Sequence, residues 1–418
     1  MSSKTFFNST LYFLFILFPL LIIFGSGLLN LFSIIFSFYA VINSKLILKL
    51  ILSKRKIFIY LLFSLLAIIP YNNFNISLDF QSSFWKSIFF LRFILMTFGI
   101  IIFLSKSQFH ELKFKNYYLF FLIIISIDVL NEYFTGTNFF GNSAEYTGRI
   151  SSFTNTELII GYIFCFLALF CFDKLLNINK KFYVIILLFF ILMISFIIGE
   201  RSNFLKLFFL LLFSYSFLYL RENNFKPLSF LKSIIVLLIC SALFIIAIKN
   251  TKQASKMFIK IENISNFENI INNSKHIPHY STALKIFYNN PIFGIGINNF
   301  EKESKKKIYS EKKYKYNENR SSTHPHQIYF EMLSEIGLIG TLYFLILFVW
   351  SIYLSVNNYL KENNIQIFSH FILNLFFIFP ILPSGSFFGT VYGLPFWFNF
   401  AILIYISQKG EIDNELNN

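Results

Sequence analysis

A succession of apolar runs limits what this chain can fold into. A helix that spans a bilayer needs about 20 mainly apolar residues, and somewhat shorter runs are tolerated. Twelve such runs occur, at about 6–24, 28–42, 57–70, 86–104, 117–134, 158–172, 182–199, 204–220, 232–248, 333–356, 365–382 and 391–407. They predict an all-α polytopic membrane protein with about twelve transmembrane helices, in which 1–418 form a single transmembrane domain.

The composition supports this class. Apolar residues make up 56% of the 418 residues and charged residues only 14%, whereas a soluble domain carries roughly 25% charged residues. The three cysteines lie inside apolar runs, so we interpret them as packing residues rather than as metal ligands or disulfide partners. A net charge of +15 could indicate nucleic-acid binding in a soluble protein, but here membrane topology explains much of it, and no nucleic-acid partner is expected.

The positive-inside rule gives the orientation. If the N-terminus is cytoplasmic, the inside segments carry 16 Lys and Arg residues, and the short outside loops carry 2. This asymmetry predicts that both termini are cytoplasmic. The exception is the outer segment 249–325 between the ninth and tenth helices, with 14 basic and 6 acidic residues. Long loops escape the rule. The segment could be a solvated basic domain, but we favour an attractant for an anionic lipid-linked substrate.

Histidine and small residues meet where this loop enters the tenth helix. With His326 placed on that helix, Gly337 and Gly340 fall on its face at helical spacing. Gly337 and Thr341 form a pair of small residues four positions apart, which favours close helix packing. Histidine is the side chain best suited to proton transfer near neutral pH, so the sequence predicts a reaction centre at the outer end of this helix. The alternative is an interfacial histidine with no role.

Three arginines are further candidates. Arg201 lies at an outer helix junction and Arg149 in an outer loop before a helix, where either could bind a phosphate group through two hydrogen bonds. Arg92 lies inside an apolar run, where an ionisable group indicates a functional site by default. Each has a structural alternative. Arg201 could be a snorkelling arginine at a helix end, Arg149 could belong to a capped loop, and Arg92 could form a structural ion pair. The sequence has no P-loop, zinc-ligand cluster or dinucleotide fingerprint, and it predicts neither a metal nor another cofactor.

These residues resemble a known family. His326-Gln327, nine residues, and then Gly337-x-x-Gly340-Thr341 is similar to the signature of the O-antigen ligase family, within the wider ligase and polymerase superfamily. Three other segments also resemble it: Tyr280 to Phe300, Gly199 to Ser202, and Gly148 to Asn155. The chain departs from the family before Tyr280, where members often have an arginine. Here Lys275 and His276 could supply the positive charge.

The resemblance implies a fold and an activity. The fold would be similar to that of glycosyltransferases of type C, with one large periplasmic loop at 249–325. The enzyme would be a metal-independent glycosyltransferase in the bacterial inner membrane that transfers a glycan from undecaprenyl diphosphate to a sugar hydroxyl of lipid A–core. Its active site would face the periplasm, in contact with membrane lipids. Arg201 would bind the diphosphate and His326 would act at the acceptor. Further substrate-binding candidates are Arg149, Arg92, Lys275, His276 and Gln327.

Two neighbouring activities stay open at this point. An O-antigen polymerase uses the same donor with another lipid-linked glycan as acceptor, and a protein O-oligosaccharyltransferase uses a protein. A transporter or flippase without catalysis is a hypothesis from a different functional class. It predicts internal repeats and interrupted helices, and the two halves of the sequence show no convincing repeat.

Overall fold

The computed structural model describes residues 3–52, 56–68, 80–107, 111–144, 146, 148–154, 159–178, 181–224, 226–229, 231–232, 235, 239 and 271–417. The chain divides into two compact units. The first unit comprises Met1–His110 and Asn266–Asn418, and the second comprises Glu111–Ser265. Within the described residues the secondary structure is helical, with no β-strand.

The first unit is built from helices of both ends of the chain. They are α1 (Ser3–Ile23), α2 (Ser26–Ile42), α3 (Ser44–Leu52), α4 (Lys56–Ala67), α5 (Phe80–Lys106), α11 (Ile277–Asn289), α12 (Phe300–Ser304), α13 (Ile328–Glu362), α14 (Ile365–Phe377), α15 (Thr390–Ser407) and α16 (Lys409–Asn417). The second unit contains α6 (Glu111–Thr135), α7 (Ile160–Phe170), α8 (Phe172–Leu176), α9 (Lys181–Ile198) and α10 (Arg201–Glu222).

Several of these helices have the length and composition of membrane spans. Among the described residues, five helices qualify, or six if α2 and α3, which meet at a 78° bend, form one span. The five are Gln81–Lys106, Phe114–Thr135, Arg201–Glu222, Ile328–Glu362 and Thr390–Ser407. The prediction of an all-α polytopic membrane protein is confirmed. The number twelve and the single transmembrane domain stay predictions, and most of the predicted helix 232–248 lies outside the described residues.

Phenylalanine side chains form much of the contact between helices of the first unit. The Phe18 ring of α1 stacks on Phe398 of α15, with ring centroids 3.9 Å apart. Phe15 of α1 and Phe32 of α2 pack around the same ring at 4.9 and 5.9 Å. Aromatic pairs at these distances add to the stabilisation from burial alone.

Helix α13 is interrupted at Gly337, whose backbone has φ +65° and ψ −166°. The segment 291–296 pairs with the interruption through four backbone hydrogen bonds. Ile295 N–H donates to Ser334 O (3.0 Å), Gly296 N–H to Glu335 O (2.7 Å), Leu338 N–H to Pro291 O (2.8 Å) and Ile339 N–H to Ile292 O (3.2 Å). Backbone groups released by a break in an apolar helix must find other partners, and this segment supplies them. The expectation that the stripe from Phe330 through Gly337 to Gly340 follows one continuous helical face is therefore wrong.

Close approach at two glycines depends on the missing side chain. A Cβ atom at Gly337 would overlap the backbone of Ile292 and Gly294, and a Cβ at Gly340 would lie 2.7 Å from the carbonyl oxygen of Ala67 in α4. Thr341 donates its hydroxyl hydrogen to Gly337 O at 2.6 Å. Gly337 therefore lies against the segment 291–296 and Gly340 against α4, and a role of Gly337, Gly340 and Thr341 in helix packing stays a prediction.

We predict that Gly337→Ala destabilises the protein, because alanine disfavours this positive φ and its Cβ would displace 291–296. A strained backbone position costs on the order of 1–3 kcal/mol, and the overlap adds to it. The measurement is the thermal unfolding midpoint of the purified protein in detergent. Gly27→Ala in α2 is the matched control, since a Cβ there meets nothing within 4 Å. Equal midpoints for Gly337→Ala and wild type would contradict the prediction.

Candidate functional site

In the first unit, four histidines come together. We call His276, His279, His324 and His326 the histidine cluster. The ring centroid of His326 lies 4.3 Å from that of His324, 4.9 Å from that of His279 and 5.9 Å from that of His276. His276 is the N-cap residue of α11 and His279 lies in its first turn, whereas His324 and His326 lie just before α13. The site is therefore formed where α11 meets the start of α13.

His326 does not lie on a helix, which corrects the expectation from the sequence. Helix α13 begins at Ile328, and Gln327 is its N-cap: the side-chain oxygen of Gln327 accepts from Tyr329 N–H (2.7 Å) and Phe330 N–H (3.0 Å). His326 has φ +58°, a left-handed conformation that is uncommon outside glycine. Ser384 N–H donates to His326 O at 2.8 Å. The imidazole is thus presented by a turn that two neighbouring segments hold.

Burial shifts the pKa values of three histidines of the cluster. It lowers the pKa of His326 below its usual value. It also lowers the pKa of His279 to about 3, with further lowering by nearby His326 and His276. Burial and then the proximity of His326 lower the pKa of His324 to about 3. A neutral imidazole has a free nitrogen lone pair, so His326 can accept a proton.

Two buried carboxyl groups of α13 hold the loops around the cluster. Glu331 accepts hydrogen bonds from Phe387 N–H (2.8 Å) and from the Ser386 hydroxyl. One turn later, Glu335 accepts from the backbone N–H groups of Asn298 (3.1 Å) and Phe300 (3.3 Å). The sequence analysis missed both residues. The signal was present, since two acidic residues four positions apart in an apolar helix lie on one face and require partners.

The candidates before α11 occupy different environments. Lys275 is exposed, with its ammonium group 5.7 Å from the centroid of the Tyr316 ring, whereas His276 is half-buried within the histidine cluster. The Tyr280 ring stacks on Phe330 with centroids 4.8 Å apart, which joins α11 to the first turn of α13. Of the two residues that could replace the family's arginine, the structure brings His276 to His326.

In the second unit, Arg149 and Arg201 are brought close enough for their like charges to interact. Arg201 is the exposed first residue of α10, and Arg149 is half-buried in the loop before α7. Gly199, with φ +84°, lies directly against Gly148 O, and Ile150 N–H donates to Ile198 O at 3.1 Å. These contacts place the loop of Arg149 against the turn before α10. Two guanidinium groups that repel one another favour an anion between them.

Carboxyl groups also anchor this loop and turn. On α6, Glu132 accepts from Ser151 N–H (3.1 Å) and Ser152 N–H (2.6 Å), and Asp128 accepts from the Ser152 hydroxyl (2.6 Å). Glu200 accepts from Gly161 N–H (2.9 Å) and from the side-chain amide of Asn203 (2.6 Å). Burial raises the pKa of Glu200, which the two hydrogen bonds and nearby Arg149 oppose. The sequence analysis did not identify Asp128 or Glu132, although they too are four positions apart.

Arg92 connects helices of the first unit. One guanidinium nitrogen donates to the Thr390 hydroxyl (3.1 Å) at the start of α15, and the other terminal nitrogen donates to Phe89 O (3.1 Å). The guanidinium carbon lies 4.6 Å from the centroid of the Phe93 ring. These contacts join α5 to α15, and a role for Arg92 in binding substrate stays a prediction.

Imidazole is a common metal ligand, so a cluster of histidines is a possible metal site. Within the part of the chain that the structure describes, no three His, Cys, Asp or Glu side chains converge so as to hold a metal ion. Two of the imidazoles, those of His279 and His324, lie within hydrogen-bond distance of hydroxyl groups. Thus Ser322 Oγ lies 3.2 Å from His279 Nδ1, and Thr323 Oγ1 lies 3.0 Å from His324 Nδ1.

We predict that Glu331→Ala lowers the free energy of unfolding by several kcal/mol, because two buried donors lose their acceptor at about 1–3 kcal/mol each. Glu331→Gln should cost less, since its amide oxygen can still accept one bond. Chemical denaturation in detergent measures both. Glu318→Ala is the control, because the Glu318 side chain is 92% exposed. A Glu331→Ala protein as stable as the control would show that the loop does not depend on this carboxyl group.

Comparison with known proteins gives one match. Residues 184–345 match the family model described as O-antigen ligase. No curated protein matches the chain. The matched region includes Arg201 and the residues from Lys275 to Thr341, but not Arg92 or Arg149, and it covers less than half of the chain. The predicted resemblance is thereby confirmed at the level of the superfamily: this membrane protein carries an O-antigen ligase family domain, which supports a glycosyltransferase of the ligase or polymerase type in O-antigen processing.

Proposed function

We propose that this protein is an O-antigen ligase. It would transfer a glycan from undecaprenyl diphosphate to a sugar hydroxyl of lipid A–core at the periplasmic face of the bacterial inner membrane. The observation that carries this proposal is the half-buried His326 imidazole, packed against the rings of His279 and His324 within the segment that matches the family model. When a sugar hydroxyl accepts the glycan, a base must remove its proton, and an imidazole that is uncharged at neutral pH can be that base.

His326 acts on the acceptor. In the transfer step, a sugar hydroxyl oxygen of lipid A–core forms a bond to the anomeric carbon of the glycan. The bond from that carbon to the diphosphate oxygen breaks, and the bonding electrons leave with the diphosphate. His326 takes the hydroxyl proton. General-base assistance of this kind contributes roughly 10²–10⁴ in rate. The leaving diphosphate is a good leaving group once its charge is stabilised, and we propose that arginine side chains supply that stabilisation without a metal ion.

Arg201 and Arg149 bind the donor. Their mutual repulsion is relieved when a diphosphate is bound, and a guanidinium group can bind two phosphate oxygens at once. Stabilisation of the charge that develops on the leaving group is often the largest single contribution to such a reaction. Lys275 and His276 are proposed as additional contacts to substrate. Gln327 uses its amide oxygen to cap α13, so only its amide nitrogen can serve a substrate.

A polymerase is the second candidate because the matched superfamily contains both activities. It would use the same donor and the same arginines, but a second lipid-linked glycan would supply the hydroxyl. A protein O-oligosaccharyltransferase differs only in the acceptor. A transporter without catalysis is less favoured. The interruption of α13 at Gly337 fits a transporter, but the family model that residues 184–345 match is described as O-antigen ligase, which favours an enzyme.

Deletion of the gene and complementation with variants test the proposal by gel analysis of lipopolysaccharide. We predict loss of all attached O-chains on deletion, and no rescue by His326→Ala. Arg201→Lys should rescue only weakly, because an ammonium group cannot form the two parallel bonds of a guanidinium. Arg221→Lys, at the opposite end of α10, is the matched control and should rescue fully.

The outcome distinguishes the alternatives. A ladder that collapses to a single repeat unit on deletion would identify a polymerase. Attachment at the wild-type level by His326→Ala and Arg201→Lys, with normal amounts of membrane-inserted protein, would refute the assigned roles of both residues.

The rate of transfer should depend on pH in a defined direction. Because burial lowers the pKa of His326, the base is neutral above this lowered value and is lost as pH falls through it. We therefore predict an acid limb in kcat/KM below about pH 6.5, the ordinary value for histidine. The measurement uses purified protein in vesicles, lipid-linked glycan, acceptor and a chelator. An acid limb above the ordinary value, or strict dependence on added metal, would contradict the mechanism.

A further inference from the structure

The rings of His279 and His324 pack against His326 from two separate chain segments. We propose that His279 and His324 are positioning residues, which exclude water from the His326 ring and so keep it in the neutral form that accepts a proton. The inference rests on the proposed function for its role in catalysis. The effect of the two imidazoles on the titration midpoint of His326 can be measured independently of any activity.

Both positioning residues are fixed by the turn before α13. His279 is 5% exposed, and its Nδ1 lies 3.2 Å from the Ser322 hydroxyl. The same hydroxyl donates to His324 O at 2.5 Å. One serine therefore ties α11 to the segment that carries His324 and His326. The stacking of Tyr280 on Phe330 makes a second connection between the same two elements.

The rings meet His326 at short distance and at steep angles. His279 lies edge to face with it, at 4.9 Å and 67°, and His324 is tilted, at 4.3 Å and 53°. At such separations the neighbouring rings occupy volume next to His326 that water would otherwise fill. Removal of water disfavours the charged form of an imidazole, in agreement with burial as the cause of the lowered pKa of His326.

Other ionisable groups on the surrounding elements must be considered. They are His276, Tyr280, Lys275 and Lys285 on or beside α11, Glu318 and Arg320 in the preceding 3₁₀ turn, and Tyr329, Glu331 and Glu335 on α13. The segment 378–389 has no ionisable side chain. Glu331, the nearest acid in sequence to His326, is engaged by the Ser386 hydroxyl and Phe387 N–H. Lys285 is paired with Glu311 (3.0 Å).

A protonated His326 would add a positive charge to a group of imidazoles that are themselves poorly hydrated. The cluster titrates as a coupled set, in which the first proton disfavours the next. Replacement of His279 by a small residue would open space for water beside His326 and raise its proton affinity. Replacement by phenylalanine would keep a ring in that place and should leave His326 largely unchanged.

Nuclear magnetic resonance of the full-length protein with ring-labelled histidine, in detergent or nanodiscs, tests this directly. His326→Gln assigns the His326 signal, and its titration is then followed in wild type, His279→Ser and His279→Phe. We predict that wild-type His326 titrates below about 6.5. In His279→Ser its midpoint should rise by about half a unit or more, and in His279→Phe it should stay near wild type. Tyr288→Ser is a control on the same helix, because Tyr288 is 71% exposed.

The kinetic counterpart is the acid limb of kcat/KM, which should move upward with His326 in His279→Ser. His324→Ser gives a second route if His279→Ser does not fold. The proposal is overturned if wild-type His326 titrates at the ordinary value. It is also overturned if the His279→Ser and His324→Ser midpoints both equal the wild-type midpoint. A protein that transfers no glycan, but whose His326 titrates as predicted, would refute the proposed function and leave the positioning role standing.

Discussion

The structure depends on one repeated interaction, in which a buried carboxyl group of a helix accepts backbone N–H groups from a loop. Glu331 and Glu335 of α13 do so in the first unit, and Asp128 and Glu132 of α6 do so in the second. A loop next to apolar helices has few water molecules to satisfy its backbone, and an unpaired buried N–H group is costly. The acids of each pair are four residues apart on one helix face. Asp128 and Glu132 hold two points of one loop, whereas Glu331 and Glu335 hold two different loops.

As a consequence, the candidate side chains His326 and Arg149, which lie in loops, and Arg201, which begins α10, are held in place by neighbouring buried groups. His326 is fixed by the cap of α13, by Ser384 and, through 386–387, by Glu331. Arg149 precedes the residues that Glu132 and Asp128 hold, and Arg201 follows Glu200, which is bound to Gly161. Precise geometry of this kind is what proton transfer and charge stabilisation need.

The sequence predicted the helices well because apolar length is a strong signal. The predicted run 391–407 corresponds to Thr390–Ser407, and 182–199 to Lys181–Ile198. It did not predict the left-handed backbone of His326. The helical spacing from His326 to Gly340 indicated one continuous helix, so neither the cap at Gln327 nor the interruption at Gly337 was expected. The sequence did not predict the histidine cluster either. His276 and His279 are about fifty residues from His326 in the chain, and tertiary contacts such as the hydrogen bonds of Ser322 and the Tyr280–Phe330 stack bring them together.

We propose that a hydroxyl of lipid A–core is the acceptor of a glycan that leaves undecaprenyl diphosphate. The most direct measurement is transfer by the purified protein in vesicles with one lipid-linked glycan donor and, in separate reactions, lipid A–core, a second lipid-linked glycan or an acceptor protein. We predict glycosylated lipid A–core in the first reaction, and none with His326→Ala. Product formed only from the second lipid-linked glycan or from the protein, or no product with any acceptor, would contradict lipid A–core as the acceptor.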